Sequence, residues 1–176
     1  MERCAEPSKN YRNETAHGPV VLLQPRTVQQ VAALPFVALE PAIEVLLVTS
    51  RRRGRWIVPK GWPEKGVPLP ECAAQEAEEE AGVVGPVAPV PVGTYRYDKR
   101  MPAGYKVPCQ VFVYPILVRQ HLLTWPEQAE RRLQWVGLAA AASLVDDRNL
   151  AVLLRALAAN DGAVLRVFAR KTDEAA

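Results

Sequence analysis

Cysteine is scarce in this chain of 176 residues: Cys4, Cys72 and Cys109 are an odd number and lack metal-ligand spacing. Reduced thiols in a cytoplasmic protein are therefore the expectation. Histidine is scarcer still, and His17 and His121 stand without partners in sequence, so neither receives a role. No uninterrupted apolar stretch reaches the roughly 18 residues of a membrane span, and the polar N-terminus does not look like a signal peptide. A soluble, intracellular protein without a membrane partner is expected. The net charge is only +3, with no broad basic face and no interleaved aromatic platform, which argues against a nucleic-acid partner. No internal repeat is present.

What remains is globular composition: 49% of the residues are hydrophobic and 23% charged, and the length suits one sizeable core. The mildly basic pI near 8.9 is concentrated in Arg51, Arg52, Arg53 and Arg55. Such a cluster favours an anionic ligand locally.

Along the chain, residues 1–26 read as a polar extension of uncertain order. Gln29 to Val37 and Ile43 to Ser50 are β-rich runs joined by Glu40-Pro41-Ala42, the pattern of a hairpin or close pair. Arg55 to Val58 is a short strand. Pro68 and Pro70 mark the approach to a helix over Leu69 to Ala81, with Gly82 as its stop. Val92 to Asp98 and Val107 to Val118 are two long strands around a turn at Pro102 and Gly104. Leu133 to Val136 is a short strand. Leu138 to Leu144 and Asn149 to Ala159 are helical, the second carrying Leu150, Leu153, Leu154 and Leu157 at amphipathic spacing. Residues 163–176 are set apart as a C-terminal tail. The fold class is α/β, an α/β/α sandwich around a mixed sheet.

The chemistry concentrates in Gln75-Glu76-Ala77-Glu78-Glu79-Glu80-Ala81-Gly82-Val83. On a helix, residues three and four apart share a face, so Glu76, Glu79 and Glu80 project together while Glu78 points elsewhere. Like charges at i,i+4 cost roughly 0.2–0.5 kcal/mol per pair, and a bound cation relieves them. Oxygen-only ligands suit Mg²⁺ or Mn²⁺ rather than zinc. An acidic helix face by itself is usually only solvated. The strand and Pro-Lys-Gly turn just upstream, Trp56-Ile57-Val58-Pro59-Lys60-Gly61-Trp62-Pro63, change that reading.

Together these segments resemble the Nudix hydrolase family. The family pattern, G-x5-E-x7-R-E-U-x-E-E-x-G-U with U aliphatic, aligns from Gly61 to Val83 without a gap. Val67 stands where the pattern has its first Glu, and Gln75 where it has Arg. The resemblance spans roughly residues 29–159 and is most specific over 49–83, where it looks most like the branch acting on diphosphoinositol polyphosphates and diadenosine polyphosphates. It implies a Nudix domain over residues 27–162 and Mg²⁺-dependent hydrolysis of a pyrophosphate bond in a nucleoside diphosphate linked to a further group.

By that resemblance Glu76, Glu79 and Glu80 are the metal ligands, with Glu80 the most tightly engaged and Glu76 nearest the attacking water; Glu76 and Glu79 are the catalytic pair. Ser50, Arg51, Arg53, Lys60 and Gly61 are the candidate substrate-binding residues, and Glu127 and Glu130 supply an extra base or ligand. Glu64 and Glu71 are further carboxylates near the motif. In the family the motif Arg holds a nearby carboxylate in place, so Gln75 and Val67 are a mutually consistent pair of losses. They also motivate an alternative: a catalytically weak Nudix-fold module that binds a phosphorylated ligand without hydrolysing it.

Overall fold

The computed structural model describes residues 27–175; the N-terminal extension and Cys4 lie outside them. The chain runs β1 (Val28–Ala38), β2 (Ile43–Thr49), β3 (Trp56–Ile57), β4 (Lys60–Gly61), α1 (Leu69–Ala81), β5 (Val83–Val84), β6 (Gly93–Arg100), β7 (Lys106–Leu117), β8 (Gln120–His121), β9 (Leu133–Gly137), α2 (Leu138–Leu144), α3 (Arg148–Ala159) and α4 (Ala163–Glu174). Seven strands form one mixed sheet with the path β3-β2-β1-β7-β6, to which β4 adds beside β1 and β9 beside β2. Only β1 and β7 run parallel, in register from Val28 opposite Cys109 to Phe36 opposite Leu117. β5 and β8 make a separate two-stranded ribbon.

The period-2 pattern of the long strands divides the core in two. Ala32, Leu34 and Phe36 of β1 and Ile43, Val45 and Leu47 of β2 join the cluster that contains the buried residues of α2, α3 and α4. Their alternates Ala33, Leu46 and Val48 pack with Ala77 and Ala81 of α1. Helices thus cover both faces of the sheet, the expected sandwich. Pro35 sits inside β1, where a residue without an N–H interrupts the ladder. It falls where β1 changes its antiparallel neighbour, from β4 at Val31 and Ala32 to β2 at Phe36 to Ala38.

The β1–β2 pair, the limits of α1 and α2, and the β6–β7 hairpin follow the sequence reading. Leu150, Leu154 and Leu157 of α3 are buried in the core, as the amphipathic spacing predicts, and Asp147 caps the helix by accepting from the N–H groups of Asn149 and Leu150. Residues 163–174 are not a tail. They form α4, with Leu165 and Ala169 buried and the Phe168 ring 6.3 Å from that of Phe36. Residues 165, 168 and 169 share one face at helical spacing, which is enough apolar surface to dock a short helix on the sheet.

α1 ends where Gly82 turns left-handed at φ 65° and its N–H returns to the carbonyls of Ala77 and Glu78. The indole of Trp125 lies against this glycine so closely that an added Cβ would fall 2.4 Å from the ring. Gly82→Ala is therefore expected to destabilise the protein by about 1–2 kcal/mol for the left-handed backbone alone, and further through displacement of Trp125. Urea unfolding of the variant beside wild type measures this; an unchanged midpoint would contradict it.

Candidate active site

α1 places its carboxylates by helical geometry. Glu80 is buried, Glu76 half-buried and Glu79 exposed, whereas Glu78 is exposed beside Ala74 and Val84 on another side of the helix. Glu76 and Glu80 face β4. The backbone N–H of Lys60 donates to Glu80 Oε2 at 3.3 Å, and a Cβ built on Gly61 would fall 1.6 Å from Glu76 Oε1. Glycine at position 61 is what lets the carboxylate approach the strand.

The second wall is the segment leading into β9. Arg131 Nε donates to Glu127 Oε2 at 2.6 Å, Nη1 to the Thr49 carbonyl at 2.9 Å, and Nη2 to Glu80 Oε1. Arg51 pairs with Glu127 at 3.1 Å and with Glu130 at 3.6 Å. The segment is also tied to α1 directly, because the Glu127 N–H donates to the carbonyl of Glu79 at 3.1 Å. Glu127 therefore does lie at the α1 carboxylates, bound by two arginines, while Glu130 stays exposed at the rim and meets Arg51 alone.

The remaining predicted positions divide. Ser50 closes the β2–β3 turn: its Oγ accepts from the Arg55 N–H at 3.1 Å and its carbonyl from the Gly54 N–H at 2.9 Å. Arg52 and Arg53 are exposed on that turn, and Arg55 is drawn away to Asp146 at 2.8 Å. Lys99, from the β6–β7 hairpin, sits 4.6 Å from the centre of the exposed Trp62 ring. Glu64 and Glu71 are exposed. Val67 packs against the cluster of Val31, Cys72, Ala73 and Tyr114, so an apolar side chain serves where the family pattern has a carboxylate, and Gln75 is exposed. Arg131 is the residue that the sequence reading missed. Its signal was the Glu127–Arg131 spacing of four, with opposite charges, inside a segment already singled out.

Burial pushes the Glu76 carboxyl up to about 7, helped by repulsion from Glu79 and Glu127. Glu80 is likewise raised to about 7 by burial, against the opposing pull of Arg131 and Lys60. Burial lowers Lys60 to about 8, and Glu80 limits that fall. Among the described residues, no three acidic, histidine or cysteine side chains converge on one point as they stand. The donor set nonetheless fits Mg²⁺ or Mn²⁺: it offers carboxylate oxygens alone, and the bare backbone at Gly61 admits the Glu76 carboxylate into the space that a Cβ would take. Glu76, Glu79 and Glu80 would hold the ion.

Glu76 and Glu80 bind protons more tightly folded than unfolded, so their penalty is absent below about pH 4.5 and grows as pH rises through about 7. The opposite change at Lys60 begins only above about pH 8. The melting temperature of the metal-free protein should therefore carry a falling contribution from these carboxylates between about pH 5 and 8. Mg²⁺ should raise it more at pH 8 than at pH 5.5, as scanning calorimetry checks. An equal Mg²⁺ effect at both pH values contradicts the assignment.

A family model described as the NUDIX domain matches residues 28–157. This chain belongs to the Nudix family. Among the curated relatives it matches, Nudix hydrolase 12, mitochondrial, of Arabidopsis thaliana is 28% identical over 138 residues, covering 77% of this chain and 66% of that protein. Nudix hydrolase 21, chloroplastic, of the same plant is 33% identical over 103 residues, covering 58% and 50%. The chain thus spans half to two thirds of the length of these Nudix relatives. A solved Ap4A hydrolase binary complex from C. elegans superimposes with a TM-score of 0.59 at 19% identity, covering 78% of this chain and 99% of the other. The NUDIX domain of Shewanella oneidensis NrtR, solved with ADP ribose, gives 0.54 at 20%, covering 74% and 87%. At these identities the solved structures show that the Nudix fold is shared.

Proposed function

We propose that this protein is a Nudix pyrophosphohydrolase that uses Mg²⁺ or Mn²⁺ to cleave a pyrophosphate bond in a nucleoside diphosphate-X type substrate. The substrate class is a dinucleoside polyphosphate or a diphosphoinositol polyphosphate. The observation that carries the reading is the inward face of α1, where Glu76 and Glu80 are turned onto Lys60 and Gly61 at the end of a cleft walled by Glu127 and Arg131. A solvated acidic face would not bury Glu80. When bound, the divalent cation supplies neutralisation of the pyrophosphate charge and activation of water.

The protein's own groups do the rest. Glu76, set beside Gly61, accepts the proton of the attacking water. Lys60 meets a phosphate oxygen as a point charge, and the exposed Arg51, Arg52 and Arg53 draw the polyanion to the cleft mouth. The nucleotide-type member of the two substrates is favoured by β1, which carries no basic side chain between Gln29 and Val37. The structural neighbours, an Ap4A hydrolase and a NUDIX domain complexed with ADP ribose, agree with this choice in chemistry.

The second reading, a module that binds a phosphorylated ligand without hydrolysing it, draws on Val67, Gln75 and the guanidinium already resting on Glu80. A panel of diadenosine polyphosphates, nucleoside triphosphates, nucleotide sugars and a diphosphoinositol phosphate, with product analysis and with or without Mg²⁺, decides between them. Turnover only with Mg²⁺ is expected, greatest on a diadenosine polyphosphate. Tight binding of a panel member without turnover would establish the module instead.

A further inference from the structure

The most constrained side chain of the cleft is Arg131, which neither the motif nor the substrate-binding set contains. Its side chain is 5% exposed, although it carries a full charge. A buried guanidinium persists only when its donors are met. Here they are met by three separate parts of the chain: the end of β2 through the Thr49 carbonyl, α1 through Glu80, and the approach to β9 through Glu127.

The root of the side chain is fixed as well. The neighbouring Arg132 N–H donates to Thr49 Oγ1 at 2.9 Å, and the Thr49 N–H donates to the Arg132 carbonyl at 3.0 Å. One edge of the guanidinium is thus anchored to backbone, and the other donors are aimed at two carboxylates. Glu80 in turn has both oxygens assigned, Oε1 to Arg131 and Oε2 to the Lys60 N–H, which sets the plane of the carboxylate. The exposed Arg51, at 57% side-chain exposure, has the opposite character and reaches the same Glu127 from solvent.

We propose that Arg131 is a positioning residue: it orients the Glu80 carboxylate for the divalent ion and ties Glu127 to the same frame, without itself touching substrate. The proposal rests on the metal-dependent reading above. It explains how one carboxylate can stay deep between α1 and β4 with its orientation set by fixed donors before any ion arrives. The planar fork is required. Lysine keeps the charge but offers a compact ammonium that cannot meet a backbone carbonyl and two carboxylates in one plane.

Arg131→Lys tests this, read by Mn²⁺ binding to the free protein in electron paramagnetic resonance and by kcat and KM separately. Mn²⁺ affinity is expected to weaken about 10- to 100-fold, the range typical when a group orienting a metal ligand is lost, with kcat reduced and KM within about threefold of wild type. Unchanged Mn²⁺ affinity with a raised KM overturns the proposal in favour of a direct phosphate contact, and unchanged values throughout overturn it outright. Should Arg131→Lys fail to melt cooperatively, Thr49→Val loosens the root of the same side chain, because it removes the hydroxyl that accepts from the Arg132 N–H and touches no assigned site residue. Weakened Mn²⁺ binding in that variant supports positioning, and Mn²⁺ binding equal to wild type contradicts it. A wild type that binds Mn²⁺ but hydrolyses nothing refutes the functional reading alone, since the comparison of Mn²⁺ affinities still decides the role of Arg131.

Discussion

Glu80→Gln should lower kcat with Mg²⁺ by more than about 100-fold, beyond the 10- to 100-fold typical of losing an outer partner of a metal site. Gln keeps the volume and one acceptor oxygen but removes the negative charge that a divalent ion requires. The fold should survive. Breaking a buried ion pair by deleting one partner costs about 3–5 kcal/mol. Here the loss should be smaller, because Glu127 and the Thr49 carbonyl still accept from Arg131. Removing a carboxylate from beside Glu76 also relieves repulsion. The expected signature is a folded, nearly inactive protein whose residual rate no longer responds to Mg²⁺. Steady-state kinetics over a Mg²⁺ series, with a melting curve on the same sample, checks both halves; a Mg²⁺-stimulated rate within threefold of wild type would remove Glu80 from the ligand set.

Gly61→Ala should cost about 100-fold or more in kcat through one methyl group. The added Cβ would fall 1.6 Å from Glu76 Oε1 and 2.3 Å from its Cδ, far inside contact distance. Side chain or strand must move. β4 is held by its pairing to Val31 and Ala32, and the Ala33 N–H donates to the Pro59 carbonyl at 2.9 Å, so the carboxylate is the softer partner. A reacting group displaced by about 1 Å loses on the order of 100-fold in rate. Stability should change little, or rise, as Glu76 moves towards water and sheds its desolvation. Kinetics on Gly61→Ala beside Gly66→Ala separates contact from backbone effects, since a Cβ at Gly66 meets nothing within 4 Å although its φ is 86°. A loss at Gly66 matching that at Gly61 would contradict the steric account.

The parts of this protein that could be read from sequence are those whose cause is local. α1 begins after Pro68 and stops at Gly82 because proline fixes one end and a left-handed residue the other. The long strands declare themselves by alternation, which the structure turns into two core layers. β4, β5 and β8 have two residues each, too few to show any period. α4 was missed although Leu165, Phe168 and Ala169 stand at helical spacing: so short an apolar face does not by itself say that the segment docks, and its contact with Phe36 is long-range. At the site, Glu76 and Glu80 were legible from helical spacing, and Gly61 from its place ahead of the helix. Arg131 was not. Its partners Glu80 and Thr49 lie 51 and 82 residues away, and only the pairing of β2 with β9 brings them together.

The position of Ser50 shows the same limit from the other side. A serine ending a strand before an arginine run reads as a phosphate contact, yet its hydroxyl is engaged by the Arg55 N–H five residues on. Nothing in composition distinguishes the two uses. Arg51 reaches the cleft wall, where it meets Glu127 and Glu130, a pairing that the arginine run itself did not announce.

The most direct test of the central claim, that the inward face of α1 is a divalent-metal site, is a Mn²⁺ titration of the wild type and Glu80→Gln at pH 8, followed by electron paramagnetic resonance. Saturable Mn²⁺ binding by the wild type is expected, displaced by excess Mg²⁺ and weakened at least tenfold in the variant. Equal binding by both proteins, or none by a wild type that still hydrolyses its substrate, would contradict it.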